Sequence, residues 1–145
     1  MNYNEIFFEN KKIAVVGVSR NKHKFGNIIF NELLKREFEP IPVNPNLEEI
    51  TGKKCYKTIC EVPQKVDTVI TVTPPNSALK IAKECYSNGI ANIWFQQGSE
   101  SNEALEFCRQ NEINFISGKC VLMYLEPVKS FHKFHRFFSK VFGKY

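Results

Sequence analysis

The chain has 145 residues, enough for one domain with a buried core. Hydrophobic residues make up 43% of it, and no run reaches the ~18 consecutive apolar residues of a membrane span, so a globular chain is expected. The formal net charge of +5 sits wholly in residues 129–145, which hold Lys129, Lys133, Arg136, Lys140, Lys144 and no acid. The remaining 15 basic and 15 acidic residues balance, so no nucleic-acid-binding body is expected.

Residues 2–10 read as a short helix or cap, with Ile6, Phe7 and Phe8 at the edge of the domain. They lack a basic region followed by an apolar one, so no secretory signal is expected and the location predicted is cytoplasmic. Ile13–Val16 is an apolar strand without alternation, as for a central parallel strand covered on both faces. Phe25 to Arg36 carries apolar residues at helical spacing. Glu39–Val43 is a short strand with two prolines, which places it near an edge. Asn44-Pro45-Asn46 is a turn, and residues 47–66 connect, with a tight turn near Gly52 and one helical turn over Ile59–Val62.

Thr68–Val72 is rich in β-branched residues and reads as a strand. Asn76 or Ser77 is expected to cap a helix over Ala78–Ser87, with Leu79, Ile81, Ala82 and Cys85 inward and Asn88-Gly89 at its end. Ile90–Phe95 is the next strand. Ser99 is expected to cap a helix over about Glu100–Gln110, with Leu105, Phe107 and Cys108 inward. Ile113–Ile116 is the fifth strand, broken by Ser117-Gly118. Strands alternating with helices imply a doubly wound α/β domain with a mainly parallel five-stranded sheet, its ligands at the carboxyl ends of the strands. A single domain is expected over 1–145, with its core at about 12–123. An aromatic-basic helix follows at about 127–143, where Phe131, Phe134, Phe138 and Val141 or Phe142 recur at helical spacing. It suits a cover for the sheet, a homodimer contact or a membrane surface.

The sharpest signal is the loop Gly17-Val18-Ser19-Arg20-Asn21-Lys22-His23-Lys24-Phe25-Gly26 between the first strand and helix. Strand, glycine turn and helix start present unpaired N–H groups and a positive dipole end to an anion. The spacing is not the G-x-G-x-x-G of dinucleotide sites, because Ser19 and Lys22 occupy the second and third glycine positions. Arg20, Lys22 and Lys24 suit a polyphosphate, and Ser19 has a hydroxyl to donate. The acid that holds the NAD ribose after the second strand is replaced by Asn44, which suits either a ribose or its own turn. Thr73-Pro74-Pro75 suits a rigid ligand wall or a simple connector. Trp94 reads as core, while Gln96, Gln97 and Gly98 stand at the same sheet edge as the loop.

No catalytic set emerges. His23, His132 and His135 lack base or metal partners, Asp67 reads as structural, and Cys120 has no identifiable base. The five cysteines are odd in number, hold no C-x-x-C pair and read as free thiols rather than a metal site.

IAVVGVSRNKHKFGN, PVNPN with the following EEITGKKCY, VDTVITVTPP and IWFQQG together resemble the small stand-alone CoA-binding proteins. These are Rossmann-like domains similar to the nucleotide-binding domain of the succinyl-CoA synthetase α subunit. The resemblance covers about Lys12 to Met123, and CVLMYLEPVKSFHKFHRF resembles an extension found in a subset of the family. It implies CoA or an acyl-CoA as ligand. Gly17, Val18, Ser19 and Arg20 would line the pyrophosphate, with Lys24, Phe25 and Gly26 completing the loop. Asn44 and Pro45 would lie beside the nucleotide, and Thr73, Pro74 and Pro75 would form the opposite wall. The phosphohistidine of the synthetase lies outside this domain, so ligase activity does not carry over. The expected function is therefore non-catalytic CoA binding. The rivals are an NAD(P)-linked or Cys120-dependent acyl-CoA enzyme and an interaction module acting through the C-terminal helix.

Overall fold

The computed structural model describes residues 3–125. The helix expected over about 127–143, with His132, His135 and any dimer or membrane contact it makes, lies outside the described residues. In chain order the elements are α1 (Tyr3–Phe7), β1 (Lys12–Val16), α2 (Phe25–Lys35), β2 (Glu39–Val43), β3 (Glu49–Ile50), β4 (Lys53–Lys54), β5 (Thr68–Thr71), α3 (Ala78–Ser87), β6 (Asn92–Gln96), α4 (Asn102–Gln110) and β7 (Asn114–Lys119). Three short 3-10 turns, Ile59–Glu61, Pro75–Ser77 and Val121–Met123, complete them.

The main sheet is five-stranded and parallel in the order β2-β1-β5-β6-β7. β1 lies inside the sheet, and both its faces are apolar. Ile13 and Val15 join one core with α1 and α2, while Ala14 and Val16 join the other with α3 and α4. This is the period-2 alternation of a strand feeding two buried layers.

β2 is the edge, and its prolines explain how. Pro40 and Pro42 pair opposite Ile13 and Val15. On the outer side of the same strand, Asn44 N–H donates to Tyr56 O (2.8 Å) and Tyr56 N–H to Pro42 O (3.0 Å). The two positions without an N–H thus fall on the side where no full strand needs a donor.

Trp94 is fully buried, edge-on to Phe7 at 5.6 Å, and donates its indole N–H to Lys119 O at 3.1 Å. Phe7 and Phe8 therefore pack on the sheet face under Trp94, not at the domain edge, and Ile6 is exposed.

Three local expectations change. Ser117-Gly118 does not end the last strand: β7 runs on to Lys119 and takes up an extra residue as a bulge opposite Trp94–Gln96, with Gly118 at φ 72°. The cap of α4 is Ser101, whose Oγ accepts from Ala104 N at 3.1 Å, while Ser99 is buried in the preceding turn. Neither Asn76 nor Ser77 caps α3 with its side chain, because the 3-10 turn at Pro75–Ser77 leads straight into the helix. On α3, Ala78 joins Ile81, Ala82 and Cys85 in the core, and Leu79 stays partly exposed. Among the described residues no helix is long and apolar enough to cross a membrane.

Candidate functional site

β1 lies between β2 and β5, and the chain leaves β1 toward β2 on one side and reaches β5 on the other. A crevice opens at such a reversal, at the carboxyl ends of the strands. Gly17 stands at the fork. Its N–H donates to Val43 O (2.9 Å), and one residue earlier Val16 O accepts from Val72 N (2.8 Å). Gly17 has φ +101°, and a Cβ there would lie 2.8 Å from Val72 O, so glycine is required both by conformation and by space. Gly26, in the first turn of α2, is closer still: a Cβ would lie 2.0 Å from Gly17 O. The glycines thus let the helix start sit directly on the loop.

Side-chain amides hold the loop between them. Asn44 Nδ2 donates to Val18 O at 2.7 Å and Asn27 Nδ2 to Ser19 O at 2.8 Å. Asn31 in turn bonds Asn27 Oδ1 at 2.9 Å. Two successive carbonyls accept side-chain amides, Val18 from Asn44 and Ser19 from Asn27, while the Gly17 carbonyl packs against Gly26. Ser19 Oγ accepts from Asn21 N at 3.0 Å, which leaves its hydroxyl proton to donate. Lys24 occupies the N-cap of α2 with no side-chain cap bond, and no acid stands in the first turn. A cation at an uncapped helix start opposes the helix dipole, an arrangement that an anion would reverse.

The cleft in front of this loop measures about 660 Å³. It brings together Gly17, Val18, Ser19, Lys24, Phe25, Gly26, Asn44, Pro45, Thr73 and Pro74. Arg20 and Pro75 are not among its walls. Arg20 turns outward, donating from Nη2 to Glu49 O at 2.7 Å and pairing with the Glu49 carboxylate at 3.7 Å, which ties the loop to the β3–β4 hairpin. Asn44 takes the turn role open to it in the sequence, its Oδ1 accepting from Asn46 N at 2.7 Å, and it also lines the cleft. Thr73 Oγ1 is buried and has no hydrogen-bond partner among the described residues. Such a group costs about 1–3 kcal/mol unless water or a ligand bonds it.

Other lining residues were not evident from sequence. Asn46, Lys57, Thr58, Ser77, Lys80, Ile81 and Glu84 all line the same cleft. Ser77 at the N-cap of α3 and Lys80, Ile81 and Glu84 on the helix recur at three and four, a spacing that would have marked them as one face. Gln96, by contrast, does not meet the cleft. It is 1% exposed, accepts from Val121 N at 3.0 Å and donates to Cys120 Sγ at 3.1 Å. Cys120 is therefore buried behind the sheet end and away from the cleft, and burial pushes its thiol up to about 11. Burial likewise pushes Cys108 up to about 11 and raises Cys55. All five cysteines are free. Among the described residues no group of three or more His, Cys, Asp or Glu is placed to hold a metal ion.

The chain is 43% identical to a conserved hypothetical protein from Pyrococcus furiosus of known structure. That alignment covers 79% of this chain and 98% of that one with a TM-score of 0.76. It is 26% identical over 117 residues to YneT of Bacillus subtilis, spanning 81% of this chain and 87% of YneT. It is 36% identical over 129 residues to acetate–CoA ligase (ADP-forming) I of Archaeoglobus fulgidus, spanning 82% of this chain but only 19% of the ligase. The chain spans less than a third of the length of the curated ligases it matches. Residues 11–126 match the CoA binding domain family, and with the switch-point cleft, the glycine-backed loop and these relatives in view, the chain belongs to that family.

Proposed function

We propose that the chain binds CoA or an acyl-CoA in the cleft between the glycine loop and α3, as a non-catalytic cytoplasmic carrier, sensor or regulator. The observation that carries this reading is the loop itself. Its Val18 and Ser19 carbonyls are bonded by Asn44 and Asn27, the α2 start has no side-chain cap, and Lys24 lines the same space. That is a cradle for a pyrophosphate. Asn44 and Pro45 would lie beside the nucleotide, with Thr73 and Pro74 as the opposite wall. Arg20 would act indirectly, by fixing the loop to the hairpin, since its guanidinium is held by Glu49. The family membership supports CoA over other pyrophosphates, and the relatives named as acetate–CoA ligases point the same way.

The rival chemistry through Cys120 is disfavoured, because that thiol is buried, held protonated and outside the cleft. Free cysteines throughout suit a reducing compartment. Isothermal titration of the purified chain with CoA, acetyl-CoA and NAD tests the proposal, alongside native mass spectrometry for co-purified CoA. Saturable CoA binding is expected. Binding of NAD without CoA would overturn it.

A further inference from the structure

The glycine loop accounts for part of the cleft's lining. The rest includes two lysines, Lys57 and Lys80, that the proposed pyrophosphate cradle does not use. Lys57 follows Tyr56, which is pinned to the carboxyl end of β2 by bonds to Pro42 O and from Asn44 N. In doubly wound sheets the nucleotide ribose sits at that end, and a cation near it accommodates a ribose phosphate. Lys80 approaches the same space from α3. Among the described residues no ion pair engages Lys57 or Lys80.

Two hydroxyls accompany them. Thr58 stands at the cap position of the 3-10 turn and Ser77 at that of α3. Both line the cleft, and neither makes a side-chain cap bond. Residues that commonly satisfy helix starts are here left to bond something else. Two unpaired ammonium groups and two uncommitted hydroxyls, drawn from separate elements, match the donors that a phosphate monoester takes. Glu84, one turn further along α3, lies in the same cleft and sets a limit on where that charge is tolerated.

We infer that Lys57 and Lys80, with Thr58 and Ser77, clamp the phosphate on the ligand's ribose and so select a 3′-phosphorylated adenosine over its unphosphorylated form. This rests on the proposed CoA reading and names the part of the cleft that reads the third phosphate. The shared chemistry with NADP is a phosphorylated ribose, and the two ligands are separated by the titration.

The test is calorimetric titration of the wild-type chain, the double variant Lys57→Met with Lys80→Met, and Glu84→Gln, each against CoA, dephospho-CoA, NADP and NAD. Both lysines are exposed, so the double variant should fold. The wild type should prefer CoA to dephospho-CoA by about tenfold or more, as charge-assisted bonds allow. The double variant should bring that ratio near one, with the larger loss falling on CoA rather than on dephospho-CoA. Glu84→Gln should raise the ratio by removing a like charge. A double variant that keeps the wild-type ratio overturns the clamp but leaves CoA binding standing. A lysine-dependent preference for NADP over NAD, with none for CoA, also overturns it. A wild type that binds neither CoA nor dephospho-CoA sinks the functional proposal itself.

Discussion

Two helices of the same chain start in opposite ways. α4 begins with Ser101 in extended backbone, its Oγ bonded to Ala104 N, and it carries Glu103 in its first turn and Arg109 in its last. Each choice satisfies an orphan donor or complements the helix dipole. α2 begins with Lys24 in similar extended backbone, yet with no side-chain cap and no acid in its first turn. The chain thus contains its own control. Where a helix start serves only the fold, the sequence caps it. At the switch point, where the loop from β1 meets the cleft, the cap is replaced by a cation and two glycines, which suits an external anion better than it suits the helix.

The largest way to break the contrast is at the close approach of α2 to the loop. Gly26→Ala would place a methyl 2.0 Å from the backbone oxygen of Gly17, where no flexible side chain can yield. The expected loss is about 3 kcal/mol of stability, read by urea unfolding, together with loss of CoA binding as the helix start is pushed off the loop. An unchanged unfolding midpoint would mean that the loop and helix are not held together as tightly as the geometry requires. Next in size is Asn44→Ala, which removes the bonds to Val18 O and from Asn46 N, each 2.7 Å. At roughly 1 kcal/mol per bond the cost is about 2 kcal/mol. The freed Val18 carbonyl should also weaken CoA binding beyond what the stability loss explains.

The same contrast separates what could be read in the sequence from what could not. β1 and β5 were evident because continuous apolar, β-branched runs have few other uses. Gly17 and Gly26 were evident because glycines flanking a strand and a helix mark close approach. Other details depend on partners far away in sequence. Arg20 looked like a phosphate ligand from its neighbours, but Glu49, 29 residues on, holds its guanidinium. Ser99 and Ser101 are equivalent caps by residue type, and only the backbone conformation at Ser101 selects it. Ser117-Gly118 has the composition of a strand break, yet the pairing of β7 with β6 turns it into a bulge. Lys57 and Lys80 belong to different elements, and nothing local to either says that they face one cleft.

Smaller effects sharpen the comparison at α4. Ser101→Ala should cost about 1 kcal/mol, the usual worth of such a cap, and should leave CoA affinity unchanged because α4 does not line the cleft. A fall in affinity comparable to that at the loop would show that stability and binding are coupled across the whole sheet, and the local reading of the α2 start would fail.

The smallest expected stability change is the most discriminating. Lys24→Ser gives α2 the cap it lacks, at a position whose φ of −90° and ψ of 145° already suit an N-cap. The helix should gain about 0.5 kcal/mol from the new bond and from removal of the cation at its positive end. CoA affinity should fall about tenfold, because one charge-assisted bond to phosphate is lost. The two quantities move in opposite directions only if Lys24 is kept for a ligand at the expense of the helix. If stability and affinity both fall, Lys24 supports the fold. If stability rises and affinity holds, the anion lies elsewhere in the cleft, and the uncapped start of α2 needs another explanation.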